Sequence, residues 1–185
     1  MATFQQQLTY TYINEKLKKS GLILRGGFTQ DGETTLLVGT NEPTFWEFFR
    51  NSSEYKDTLS DPMDRWSKRV IGQIASDLNS RAVYPSEGPP YAPFYTWAVM
   101  TQKAFVSPLK LLVHEDVGLM ISYRGALILE QSIELPLTSE KSPCEACSEP
   151  CLSACPVDAL NVASYDTDAC TSYLGASTGQ NTCFQ

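Results

Sequence analysis

LKLLVHEDVGLMISYRGALILE, residues 109–130, is the stretch on which the reading of the fold turns. LKLLVHED and GLMISYRGALILE read as two strands joined by a polar turn from Asp116 to Gly118. The second is long and largely apolar, as expected of a central strand covered on both faces. Moving outward, LILRGGF at 22–28 and TTLLVG at 34–39 read as two more strands, joined by the polar turn Thr29 to Glu33. Gly26 and Gly27 leave two readings open: a bulge or tight crossing, or close approach of the backbone to a ligand.

Helices are expected around these strands. Residues 3–19 have helical character, with Gly21 as the stop. Asp61-Pro62 is a helix start, because Asp can cap free amides and Pro at the first helical position gives up an N–H that has no partner there. That helix is expected to run to about Asn79. Met63, Trp66, Val70, Ile71, Ile74 and Leu78 recur at three- and four-residue spacing and form a core-facing stripe. YPSEGPPYAPF is too rich in proline for regular structure and predicts a loop, followed by a short helix from Phe94 to Lys103.

Cysteine is absent from the first 143 residues and appears six times in the last 42. CEACSEPCLSACP places Cys144, Cys147, Cys151 and Cys155 at short gaps and closes on Cys-Pro. Several soft sulfur donors within one loop suit iron, and bacterial ferredoxin modules use C-x2-C-x2-C-x3-C-P. Here the middle gap is one residue longer. Zinc would show two well-separated ligand pairs, and disulfides suit an oxidising compartment, so a 4Fe–4S cluster is the leading reading and these are the alternatives. Cys170 and Cys183 bring the candidate ligands to six, whereas two cubane clusters need eight. The expectation is a truncated form of a longer two-cluster protein. LPLTSEKSP, at 135–143, marks a linker, so the chain divides into a domain at 1–138 and a cysteine module at 139–185.

The net charge is −7, and the module holds one lysine against six carboxylates. No basic face is available to neutralise phosphates, which argues against nucleic acid, while an acidic tail suits docking of a basic redox partner protein. The N-terminus lacks the apolar core of a signal peptide, and no apolar run is long enough to span a bilayer, so a cytoplasmic protein without a membrane segment is expected.

CEACSEPCLSACPVDALNVASYDTDACTSYL resembles the ferredoxin-like segment of epoxyqueuosine reductases, including the cysteine of the later CTSYL piece, Cys170. LKLLVHEDVGLMISYRGALILE resembles the His-containing strand pair of those reductases and of cobalamin-processing proteins of the cblC type. DPMDRWSKRVIGQIASDL resembles a helix of the latter. The resemblance implies an α+β, nitroreductase-like fold for residues 1–138, an antiparallel sheet with packed helices able to hold cobalamin or a flavin, and a small ferredoxin-like module behind it. By the same resemblance His114, Gly118, Arg124 and Gly125 lie near the corrin or flavin.

His114 and Arg124 also admit structural readings, as a satisfied core histidine and as the partner of a core carboxylate. The expected function is an iron–sulfur electron-transfer protein or reductase acting on a small-molecule substrate. The alternatives are a cobalamin-binding chaperone without turnover and a non-catalytic ferredoxin-like carrier.

Overall fold

The computed structural model describes residues 8–138 and 141–183. The first helix, α1 (Tyr10–Lys18), begins where the Thr9 hydroxyl accepts from the Tyr12 amide at 3.2 Å. It ends before Gly21, whose φ of +70° is left-handed and where an added Cβ would stand 2.8 Å from Phe48. Of the helix expected over 3–19, residues 3–7 lie outside the described residues. Strands β1 (Leu22–Gln30) and β2 (Glu33–Thr40) follow as an antiparallel hairpin. Its two-residue turn, Asp31-Gly32, takes φ values of +52° and +85°, the twist that suits a tight hairpin.

The register of β1 and β2 shifts between Leu24 and Gly27, so the glycine pair marks a bulge. A side chain at Gly26, where φ is +121°, would also strike Thr101 at 2.7 Å. Strand β3 (Arg81–Val83) and the last strand of this sheet, Tyr123–Leu129, complete an antiparallel sheet of four. Between β2 and β3 in the chain lie α2 (Phe45–Arg50), α3 (Ser53–Lys56) and α4 (Pro62–Asp77). After β3 come α5 (Phe94–Met100), then β4 (Ala104–Val106) and β5 (Leu112–His114), which pair only with each other, and then β6 (Tyr123–Leu129). The order across the main sheet is β1-β2-β6-β3, so β6 is interior.

Covering on both faces explains why Gly125 to Leu129 are buried without a break. One face carries Leu22, Leu24, Leu36, Val38, Leu127 and Leu129. These pack with Ile13 and Leu17 of α1 and with Trp66, Ile71 and Ile74 of α4. Phe45 and Phe49 of α2 stack with parallel rings and meet Trp66 edge-on, closing that core. The other face carries Leu37 and Ala126 under Phe94, Ala98 and Ala104. The observed class is therefore a mixed α+β domain built on an antiparallel sheet.

Several expectations are corrected. The runs at 109–116 and 118–130 are not strand partners: β5 pairs with β4, while β6 runs between β2 and β3. The α5 helix stops at Met100, because Gln102 takes a left-handed φ of +56° and Ala104 begins β4. Asp61 makes no side-chain capping bond, since its own backbone is left-handed, although Pro62 does open α4 as expected. In the cysteine module a short 3-10 turn at Pro150–Ser153 precedes an isolated bridge between Leu160 and Tyr165. Two helices follow, α6 (Thr167–Gly175), capped by the Asp166 carboxylate on the Ala169 amide, and α7 (Ser177–Thr182). Among the described residues no helix is long and apolar enough to cross a membrane.

Candidate functional site

His114 ends β5 and is buried, its side chain having no exposed area. The turn that follows folds back on it: His114 and Gly118 exchange both backbone hydrogen bonds, at 3.0 and 2.9 Å. Gly118 takes φ +59° and faces open space, so it is required there by backbone conformation and not by crowding. The Asp116 amide donates to His114 Nδ1 at 3.1 Å. Nδ1 is therefore an acceptor, Nε2 carries the proton, and that proton goes to the Arg25 carbonyl at 3.1 Å. Both ring nitrogens are engaged by the chain itself. Burial lowers the histidine pKa, which keeps the ring neutral, with the Arg25 carbonyl opposing.

This bond ties the turn to Arg25, on the bulge of β1. Arg25 is 8% exposed and runs across Gly39 of β2, where a Cβ would stand 2.7 Å from its Cγ. Its Nη2 donates to the Thr40 carbonyl at 2.7 Å. Burial lowers its pKa, opposed by Asp116 and Glu42, and neither carboxylate forms an ion pair with it. Tyr10 of α1 completes the surround, its phenol pushed up to about 12 by burial while the Gly26 backbone opposes. Tyr123 of β6 is raised further by burial, and its hydroxyl is the one buried side-chain polar atom without a partner among the described residues.

Arg124 and Gly125 belong to the opposite face. The register of β2 and β6 shifts between Val38 and Gly39, leaving Arg124 as the extra residue of a second bulge. Its guanidinium lies 3.7 Å from Asp64 in the first turn of α4, and its Nε donates to the Tyr123 carbonyl. Gly125 brings α4 against the sheet, since a Cβ would meet Ile71 at 2.9 Å and the Val83 carbonyl at 3.2 Å. The structure thus brings His114 and Gly118 together around Arg25 and puts Arg124 and Gly125 under α4. Arg25 and Tyr123 were not singled out from sequence, although an arginine inside the apolar run LILRGGF was a visible signal.

In the cysteine module, Cys144, Cys151, Cys155 and Cys170 are partly buried, and Cys147 and Cys183 are exposed. The Ala159 amide donates to Cys155 Sγ at 3.2 Å. The Val157 and Leu160 amides also face this sulfur and lower its pKa, with Val157 the strongest. Such a turn of N–H groups favours a thiolate, as sulfur ligands of iron require. The Leu160–Tyr165 bridge then returns the chain, and the Tyr165 hydroxyl donates to Cys170 Sγ at 3.4 Å, which raises the phenol pKa. Among the described residues, however, no three cysteine, histidine or carboxylate side chains converge on a point that could hold a metal ion. The donor chemistry fits a cluster, but the sulfurs are not gathered.

Two concavities lie away from His114, Arg25, Tyr123 and the cysteines, although Tyr10 lines the first. One of about 1170 Å³ runs between the start of α1, the end of α4 and residues 129–136. The other, about 330 Å³, is lined by Phe28, Thr35, Arg81, Val83, Trp97 and Ile128 among others. No family model, curated protein or solved structure matches this chain significantly.

Proposed function

We propose that this chain is an iron–sulfur electron-transfer protein or reductase, with a 4Fe–4S cluster held by Cys144, Cys147, Cys151 and Cys155. Cys170 and Cys183 are the remaining candidate ligands. The observation that carries this reading is the mismatch between chemistry and packing in the module. Among the described residues beyond 138, Ala159 is the single buried hydrophobic residue, while six thiols are present. A segment with almost no apolar core needs another source of order, and metal–thiolate bonds supply it. The Cys155 turn, with amides already aimed at the sulfur, supports the assignment.

Bound there, the cluster supplies one-electron transfer. Residues 142–147 are held by short-range hydrogen bonds such as Cys147 N–H to the Cys144 carbonyl and Cys144 N–H to Ser142 Oγ, a loop that can wrap without disturbing the sheet. A cobalamin or flavin on the N-terminal domain is proposed on the side of His114 and Gly118 from the resemblance alone, since both His114 ring nitrogens are bonded within the chain. Arg124 and Gly125 act in that assignment through helix packing. Anaerobic purification with quantification of iron and acid-labile sulfide tests the proposal. About four of each per chain, with broad visible absorption, is expected. Near-zero iron after reconstitution, with the sheet folded, would overturn it. Clusters without affinity for corrin or flavin would reduce the function to that of a ferredoxin-like carrier.

A further inference from the structure

A row of polar groups crosses the second face of the sheet and has no part in the iron–sulfur reading. Gly39 of β2 is the register partner of Tyr123 of β6, and Arg25 of β1 lies across Gly39. Arg25 and Tyr123 therefore share one face and one level, with Gly39 between them, whose missing side chain is what lets the Arg25 side chain cross β2. Both are short of acceptors. Arg25 is 8% exposed and forms no ion pair among the described residues, its one hydrogen bond there going from Nη2 to the Thr40 carbonyl. The Tyr123 hydroxyl is buried with no partner.

A buried cation without a counter-charge, beside a buried hydroxyl without an acceptor, is costly twice over. One oxyanion would relieve both, because it accepts from a guanidinium and from a phenol together. The surroundings hold Arg25 in place: His114 donates to its backbone carbonyl, and the Asp116 amide fixes the His114 ring. Asp116 and Glu42, the nearest carboxylates in electrostatic effect, are solvent-exposed, so water screens their claim on the guanidinium.

We propose that Arg25 and Tyr123 form a subsite for an oxyanion, the carboxylate or phosphate group of a small-molecule ligand. The subsite stands whether or not the cysteines hold a cluster. It is tested on the full chain with inorganic phosphate and acetate as probes, at constant ionic strength set with chloride, by amide chemical-shift titration. Saturable binding is expected for at least one probe, with shifts centred on Arg25, Thr40 and Tyr123. Phosphate alone would identify a phosphate-bearing ligand, and acetate alone a carboxylate. Tyr123→Phe removes a hydroxyl that has no partner among the described residues, so the fold is retained while affinity falls about tenfold. Arg25→Met, close in length and uncharged, abolishes binding. Should that variant not fold, Tyr123→Phe decides alone. No response beyond the chloride control, or equal affinity in parent and Tyr123→Phe, would overturn the subsite.

Discussion

Glu54 shows what one side chain contributes to this fold and how little of that is written locally. It sits on α3 with its carboxylate 10% exposed, takes Arg69 of α4 through Nε and Nη2, and is held at a pKa of about 2, the Arg69 hydrogen bond being the main cause. An unfolded glutamate titrates near ~4.3. The folded pKa is the lower one, so the stabilisation is complete above the unfolded value and is lost as pH falls from there through about 2. Urea unfolding between those pH values is expected to show stability declining in the parent. Glu54→Gln should be less stable at neutral pH and show a shallower decline. Equal slopes would remove Glu54 from the acid response. Nothing in NSSEYK announces this pair, since the partner lies fifteen residues on and meets it only after α3 has packed on α4. Arg25 is the same kind of case: its charge is visible in the strand, but the glycine that accommodates it and the tyrosine beside it come from two other strands.

Among elements, legibility follows length and periodicity. The α4 stripe is evident in sequence and is found against the sheet, with Trp66, Ile71, Ile74 and Leu78 buried. The β1–β2 hairpin is equally plain, because Asp-Gly between two apolar runs specifies a tight turn. By contrast β3, β4 and β5 have three residues each, too few for an alternating pattern to form, and β4 went unread between the helix expected to Lys103 and the strand expected from Leu109. Pairing was mistaken for the same reason: a turn between two apolar runs suggests a hairpin, whereas here the turn closes on His114 and releases the chain to another sheet.

The two glycines of this region make the distinction measurable. Gly125→Ala is expected to cost roughly 1–3 kcal/mol, since the added carbon presses on the end of the fully buried Ile71 side chain and on the Val83 backbone, which has no room to shift. Gly118→Ala meets no atom, so its cost is conformational only, about 1–2 kcal/mol from the left-handed φ. Trimming the Ile71 side of the contact tells them apart. Ile71→Val should recover part of the loss in the Gly125 variant and none in the Gly118 variant, read as non-additivity of unfolding free energies.

On the scale of the whole molecule, residues 8–138 and the cysteine module differ in what holds them together. The first is built on two apolar layers about one sheet. In the second, the order among the described residues comes from local turns, the Asp166 cap of α6 and the Tyr165–Cys170 bond. The sequence draws a boundary there because cysteine usage changes abruptly, and thiols carry their chemistry in their identity. Among the described residues the sulfurs are not gathered, and only a bound ion would draw Cys144, Cys147 and Cys151 toward Cys155 against the loss of loop entropy. If metal–thiolate bonds are the source of order, amide hydrogen exchange should separate the two parts. Anaerobic reconstitution with iron and sulfide is expected to slow exchange across 144–175 by at least tenfold while β1, β2 and β6 keep the rates of the metal-free chain. Cys151→Ser should cancel the gain in the module and leave the sheet as it was. Uniform slowing over both parts would mean that the module and the sheet fold as one unit. No slowing anywhere, with iron bound, would mean that the thiols bind metal without organising the chain, and the source of order in the module would have to be sought in a partner docked on its acidic surface.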